Sequence, residues 1–257
     1  MVGLEKFRQH FAAFRNNYVI IGGTACDILL SGEGFTPRAT KDIDIILVIE
    51  NLSKEFIDSL WAFLKAGKYE SLQKDLKERK YYRFTKPVEK DYPQQIELFS
   101  RIPDSIDGEY SSWLVHIDID KTDASLSAIL MDETYYSYTI ANSSFVEDLH
   151  RADINALICL KAKAYLDLSE RKLRGEKIDA DDIKKHKTDI FRLGALLTAD
   201  TRYELPDSIG GDFNSFMEMV HEELPETTML AAMGAPGIDM KNLYAQLRSN
   251  FQIARSQ

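Results

Sequence analysis

Residues 18–30 read Tyr-Val-Ile-Ile-Gly-Gly-Thr-Ala-Cys-Asp-Ile-Leu-Leu, and residues 40–49 read Thr-Lys-Asp-Ile-Asp-Ile-Ile-Leu-Val-Ile. Tyr18 to Ile21 is a short apolar run that stops at Gly22-Gly23, the pattern of a buried strand ending in a tight bend. Between Ala25 and Leu30 the apolar residues recur at helical spacing, and Ser31-Gly32-Glu33-Gly34 ends that helix. Asp42 and Asp44 then open a second strand. Side chains alternate between the two faces of a strand, so both carboxylates project from one face while Ile43 and Ile45 face a core. Two anions held that close are costly unless a cation lies between them. A hard, oxygen-loving ion such as Mg²⁺ fits such donors and also binds phosphates.

Composition sets the frame for this motif. A chain of 257 residues is long enough for one large domain or two modest ones. With 44% hydrophobic and 28% charged residues it falls among soluble globular proteins. No apolar run approaches the ~20 residues of a membrane helix, and Met1 to Lys6 lacks a signal-peptide layout, so a cytoplasmic protein is expected. The formal net charge of −9 argues against broad, nonspecific nucleic-acid binding, though not against a local basic patch. Cys26 and Cys159 are too few for a disulfide framework and lack metal-ligand spacing. Cys26 lies on the apolar face of its helix and reads as core.

A glycine pair after a strand, followed by Asp-x-Asp on the next, resembles the nucleotidyltransferase core of the DNA polymerase β superfamily. Gly22-Gly23-Thr24-Ala25 and Thr40-Lys41-Asp42-Ile43-Asp44 look most like the AbiEii-type toxin nucleotidyltransferases. The resemblance implies an α+β fold: a mixed-sheet catalytic domain over residues 1–142, followed by a helical domain over 143–257 that completes the nucleotide site. It implies that Gly22, Gly23 and Thr24 lie against the phosphates of a nucleoside triphosphate, where a bare backbone can approach an anion. Asp42 and Asp44 would hold Mg²⁺. The interval from Gly23 to Asp42 is longer than in compact members of the superfamily, so Phe35-Thr36-Pro37-Arg38 forms either a lid or substrate contact or a surface insertion.

Further along, Leu4, Phe7, Phe11 and Phe14 predict a helix that stops at Asn16-Asn17. A second helix is expected from Asn51 to Lys65, with Ser53 as N-cap. Residues 68–80 are ambiguous. Lys80 to Thr85 and Gln94 to Phe99 read as strands. The latter carries Glu97, which the resemblance makes the third metal-binding acid, beside the Asp-x-Asp strand and able to help take a proton from the attacking hydroxyl. His116-Ile-Asp118-Ile-Asp120 contains a competing Asp-x-Asp with no glycine turn before it. Tyr135 to Ile140 reads as a strand. Ser144 and Glu147 have capping-box spacing, which predicts a long helix from Phe145 to Leu168. Further helices are expected over Asp179 to Leu197, Pro206 to Leu224 and Met240 to Ala254.

The resemblance extends into these helices. The family carries a lysine in a Lys-x-x-Ala setting and an aspartate in an Asp-hydrophobic-x-x-Leu setting, matched here by Lys161 and Asp189, with Lys163 the fallback for the lysine. A lysine in an apolar helix needs an anionic partner. A nucleotide phosphate would serve, with Asp189 positioning the lysine; a structural Lys–Asp pair is the plainer alternative. Arg171, Lys172, Arg174, Lys177, Lys184, Lys185, His186 and Lys187 form a basic cluster that could receive an RNA backbone. The function implied is Mg²⁺-dependent nucleotide transfer from an NTP to an acceptor hydroxyl, by resemblance an RNA (tRNA) end, by a toxin with an antitoxin partner. Rival expectations are a small-molecule (aminoglycoside-like) or protein side-chain acceptor, and a module that binds nucleotide without transferring it.

Overall fold

The structure, a computed structural model, describes residues 1–76, 79–99 and 132–254. The competing Asp118 and Asp120 lie outside the described residues. The chain forms two compact units. One takes the described parts of Met1–Ala25, Ala39–Asp120 and Thr139–Asp153; the other takes Cys26–Arg38 and the described parts of Lys121–Tyr138 and Ile154–Gln257.

The first unit is built on a seven-stranded mixed sheet ordered β3-β4-β5-β2-β1-β7-β6. The strands are β1 (Tyr18–Ile21), β2 (Asp42–Leu47), β3 (Glu70–Leu76), β4 (Arg79–Thr85), β5 (Gln95–Phe99), β6 (Ser143–Val146) and β7 (Leu149–Ala152). β1 is buried along its whole length, as befits an uninterrupted apolar run in a central strand. β2 alternates: Ile43 and Ile45 are buried, while Asp42 and Asp44 are half-buried. β1 runs antiparallel to β2, and β2 runs parallel to β5. Helices α1 (Leu4–Phe11) and α3 (Lys54–Gly67) supply Phe7, Phe11, Phe56 and Phe63 to an aromatic core that Tyr18 joins. Ser53 caps α3 as expected, its hydroxyl accepting from the Phe56 amide.

Two expectations fail in this unit. The long helix predicted from Phe145 is a β-hairpin, β6–β7, and the helix starts only at Ile154. Glu147 and Asp148 turn the hairpin with φ of 47° and 61°. Two left-handed residues in succession match the twist of a two-residue hairpin turn, a place where Asn-Gly is the usual signal. The Ser144 hydroxyl donates to Asp153 rather than capping a helix. This hairpin follows residue 142, where the sequence places the start of the helical domain, yet it extends the first unit's sheet. The second failure is Tyr135 to Ile140, which lies within helix α4 (Glu133–Ala141) rather than a strand and is divided between the two units after Tyr138.

The second unit is helical. α5 (Ile154–Leu173) packs on α6 (Ala180–Gly194) and α7 (Asp207–Val220); α8 (Thr228–Ala232) and α9 (Met240–Asn250) complete it. Asp179 caps α6 by accepting from the Asp181 amide. The helix expected through Ala254 stops at Asn250, because Phe251–Ile253 forms β9, which pairs in parallel with β8 (Tyr203–Leu205). No helix among the described residues is long and apolar enough to cross a membrane.

Candidate functional site

The antiparallel register opposes Ile21, the last residue of β1, to Asp44. The next residue, Gly22, begins helix α2 (Gly22–Gly32) with φ of +66°. A Cβ built on Gly22 would lie 1.8 Å from Asp44 Oδ2. Both the conformation and the space therefore require glycine. The bend passes over the second acid of the Asp-x-Asp pair with only backbone between the carboxylate and the start of α2. The first turn of any helix leaves amide N–H groups without intrahelical acceptors, and these favour an anion.

Thr24 is fully buried, and its hydroxyl donates to the Asp42 carbonyl oxygen at 2.5 Å. Its side chain thus ties the first turn of α2 to the head of β2.

The parallel register of β2 and β5 aligns Asp42 with Gln95 and Asp44 with Glu97. In-register residues on neighbouring strands share a face, so three acids lie on one face of two adjacent strands. Glu97 is buried, and it accepts from Arg83 Nε at 3.0 Å and from Gln95 Nε2. Both bonds fall on Oε1. Arg83 sits opposite Glu97 on β4 and is the balancing cation that a buried carboxylate requires. Nothing in the sequence singles out Arg83, which shares its strand with Arg79 and Lys80. Among the described residues no three His, Cys, Asp or Glu side chains converge closely enough to enclose a metal ion. The donor chemistry nonetheless fits a hard cation: two half-buried carboxylates side by side, a third in register, and a glycine cradle that a side chain would fill.

Lys161 and Asp189 meet in the second unit. Lys161 Nζ donates to Asp189 Oδ2 at 2.7 Å, and both residues are buried, at 5% and 3% exposure. Arg38, from the loop after α2, donates from Nε and from its second terminal nitrogen to the two oxygens of Asp189, each at 3.1 Å. This is a bidentate fork. Arg192 lies 3.7 Å from Oδ1, one helical turn along α6. The loop is held in place where Thr36 N donates to the Met233 carbonyl. Burial alone would raise the Asp189 carboxyl, but Lys161 and Arg38 outweigh it and hold it at about 2. Burial opposes the Lys161 charge, and Asp189 more than restores it, so its pKa is raised.

Lys161, Arg38 and Arg192 thus gather round Asp189, and Asp27 is a second acid that acts on Arg38. Arg38, on the Phe35–Arg38 loop, is half-buried and ties that loop to Asp189. Lys163, the fallback lysine, pairs instead with Asp212 at 2.9 Å. Burial pushes the Cys26 thiol up to about 12, consistent with a core residue.

No protein-family model matches the chain, and no curated protein matches it. Among solved structures it is similar to an antigenic nucleotidyltransferase-like protein from Paracoccidioides brasiliensis, with 17% identity and a TM-score of 0.43 over 91% of this chain and 94% of that one. A likeness at that level assigns neither fold nor function. His186, beside this group on α6, is held neutral, its pKa lowered by burial and by the charge of Lys161. It is not a candidate catalyst.

Proposed function

We propose that the chain is a divalent-metal-dependent nucleotidyltransferase. The observation that carries this reading is the side-chain-free bend at Gly22, packed on Asp44 at the start of α2. On this reading Asp42 and Asp44 hold the metal, and Glu97 supplies the third carboxylate. Bound Mg²⁺ would neutralise phosphate oxygens and polarise the attacked phosphorus. The backbone amides of Gly22, Gly23 and Thr24 receive oxygens of the nucleoside triphosphate, as the open end of a helix favours. Within the second unit, Lys161 and Arg38 provide cationic contacts for phosphate, and Asp189 fixes both side chains in place. An acceptor hydroxyl oxygen bonds to the α-phosphorus as the bond to the departing pyrophosphate breaks, and the hydroxyl proton passes to Glu97 or to solvent.

The motif resemblance makes the acceptor an RNA end, such as that of tRNA, and the cellular role that of a cytoplasmic toxin restrained by an antitoxin. The test is to incubate the full chain with Mg²⁺, total cellular RNA and each NTP radiolabelled at the α-phosphate. The expected result is label on an RNA species with release of pyrophosphate, abolished in Asp42→Asn. Label on a small molecule or protein would move the acceptor and keep the chemistry. No transfer with any nucleotide, or equal transfer by Asp42→Asn, rejects the reading.

A further inference from the structure

Part of the basic cluster on and between α5 and α6 is neutralised within the fold. Arg171 pairs with Glu176 and Asp167, Arg174 with Glu170, and Lys185 with Asp182. Lys187 donates to the Glu223 carbonyl at 2.9 Å. Lys172 and Lys184 have no acid partner among the described residues, and both line one cleft of about 630 Å³ in the second unit. The interior is apolar and soft: Tyr165, Ile183, Leu224 and Met229 line it as well. The Tyr165 ring is braced edge-on by Phe216, with centroids 5.1 Å apart. Glu223, 3.8 Å from Lys187, and Glu226, which accepts from Thr228, also line the cleft, so with Lys187 the lining carries three ammonium groups against two carboxylates. Lys161, Arg38 and Asp189 do not line it.

We propose that this cleft is a nucleotide-binding site separate from the Asp-x-Asp strand. The surplus of ammonium groups, two of them with no ion-pair partner among the described residues, suits an anionic phosphate. The volume falls in the range of small-ligand sites, roughly 300–1,000 Å³. A tyrosine ring with an adaptable methionine gives a flat base a surface to stack on. The nucleotide is either free or one unit of a single-stranded RNA. The site requires no transfer chemistry and stands whether or not the proposed reaction occurs.

The experiment is calorimetric titration of the full-length chain, in EDTA to silence any metal site, with AMP, adenosine, inorganic phosphate and a single-stranded oligoadenylate. AMP is expected to bind more tightly than adenosine or phosphate. Lys172→Gln/Lys184→Gln, at exposed positions that leave the fold intact, should weaken AMP by about tenfold or more. Tyr165→Leu should weaken AMP while leaving phosphate affinity unchanged, a split that a merely electrostatic patch would not give. Oligoadenylate binding far tighter than AMP, and equally sensitive to the lysine pair, identifies the ligand as RNA; equal or weaker binding identifies free nucleotide. Failure of AMP to bind, or equal affinity in wild type and the double lysine variant, overturns the proposal. Asp42→Asn should bind AMP as wild type does, so loss of transfer and loss of this site are told apart.

Discussion

Replacing Asp189 by asparagine removes the anion around which Lys161, Arg38 and Arg192 gather. Asp189 is 3% exposed and Lys161 is 5% exposed, so water cannot take over the role of the lost charge. Removing one partner of a buried ion pair costs about 3–5 kcal/mol. The shift of the carboxyl from 3.8 to about 2 gives an independent figure of about 2 kcal/mol for its ionised form at neutral pH. The two bracket an expected loss of about 2–5 kcal/mol, measured by urea denaturation at pH 7.

The sign of the pH dependence follows from the same shift. A carboxylate whose folded pKa is depressed stabilises the fold above its unfolded pKa, and that contribution disappears as pH falls through the folded value. Wild type should therefore hold its margin over Asp189→Asn down to about pH 4 and lose most of it by about pH 2. Lys161→Met should cost less, because Asp189 keeps its bidentate bond to Arg38. A margin under about 0.5 kcal/mol at pH 7, or one that does not close in acid, would refute the buried charge cluster.

Gly22→Ala places a methyl group 1.8 Å from Asp44 Oδ2 at a φ of +66°, so Asp44 must rotate away. The variant should fold with a loss of about 1–3 kcal/mol by thermal denaturation and lose nucleotide transfer. Glu147→Asn/Asp148→Gly puts residues tolerant of left-handed backbone into the β6–β7 turn. It should stabilise the chain by about 1 kcal/mol in urea, net of the exposed pairs to Arg8 and Arg15 that it removes. Cys26, buried with its thiol pushed up to about 12, should react with a thiol reagent at pH 8 only on the timescale of unfolding.

What the sequence conveyed and what it hid divide along a physical line. The strand–glycine–helix–loop–strand core was readable because each step is local: an apolar run, a glycine pair, and alternation of Asp and Ile; the cap at Ser53 was local too. The register that sets Glu97 beside Asp44 could be expected from the resemblance alone. Tyr135, Tyr136 and Thr139 have strand-like propensity, yet all three are buried in a helix, and Tyr135 donates its hydroxyl to Asp212. Tertiary packing overrode propensity there. At Ser144 and Glu147 a capping-box spacing coincided with a hairpin whose left-handed turn residues carry no Asn or Gly to announce it. Phe251 leaves its helix for a strand because β8, some fifty residues earlier in the chain, supplies the partner. Arg38 and Arg83 share this non-local character: each answers a buried acid brought to it by the fold.

The central claim is that Asp42 and Asp44, beneath the bend at Gly22, hold a divalent ion together with a nucleoside triphosphate. Electron paramagnetic resonance of Mn²⁺, a spectroscopic stand-in for Mg²⁺ at oxygen donors, tests this without requiring turnover or a known acceptor. Wild type with a non-hydrolysable NTP analogue should bind Mn²⁺, and Asp44→Asn should weaken that binding by about tenfold or more, one lost carboxylate ligand. Equal Mn²⁺ binding by wild type and Asp44→Asn would contradict the account.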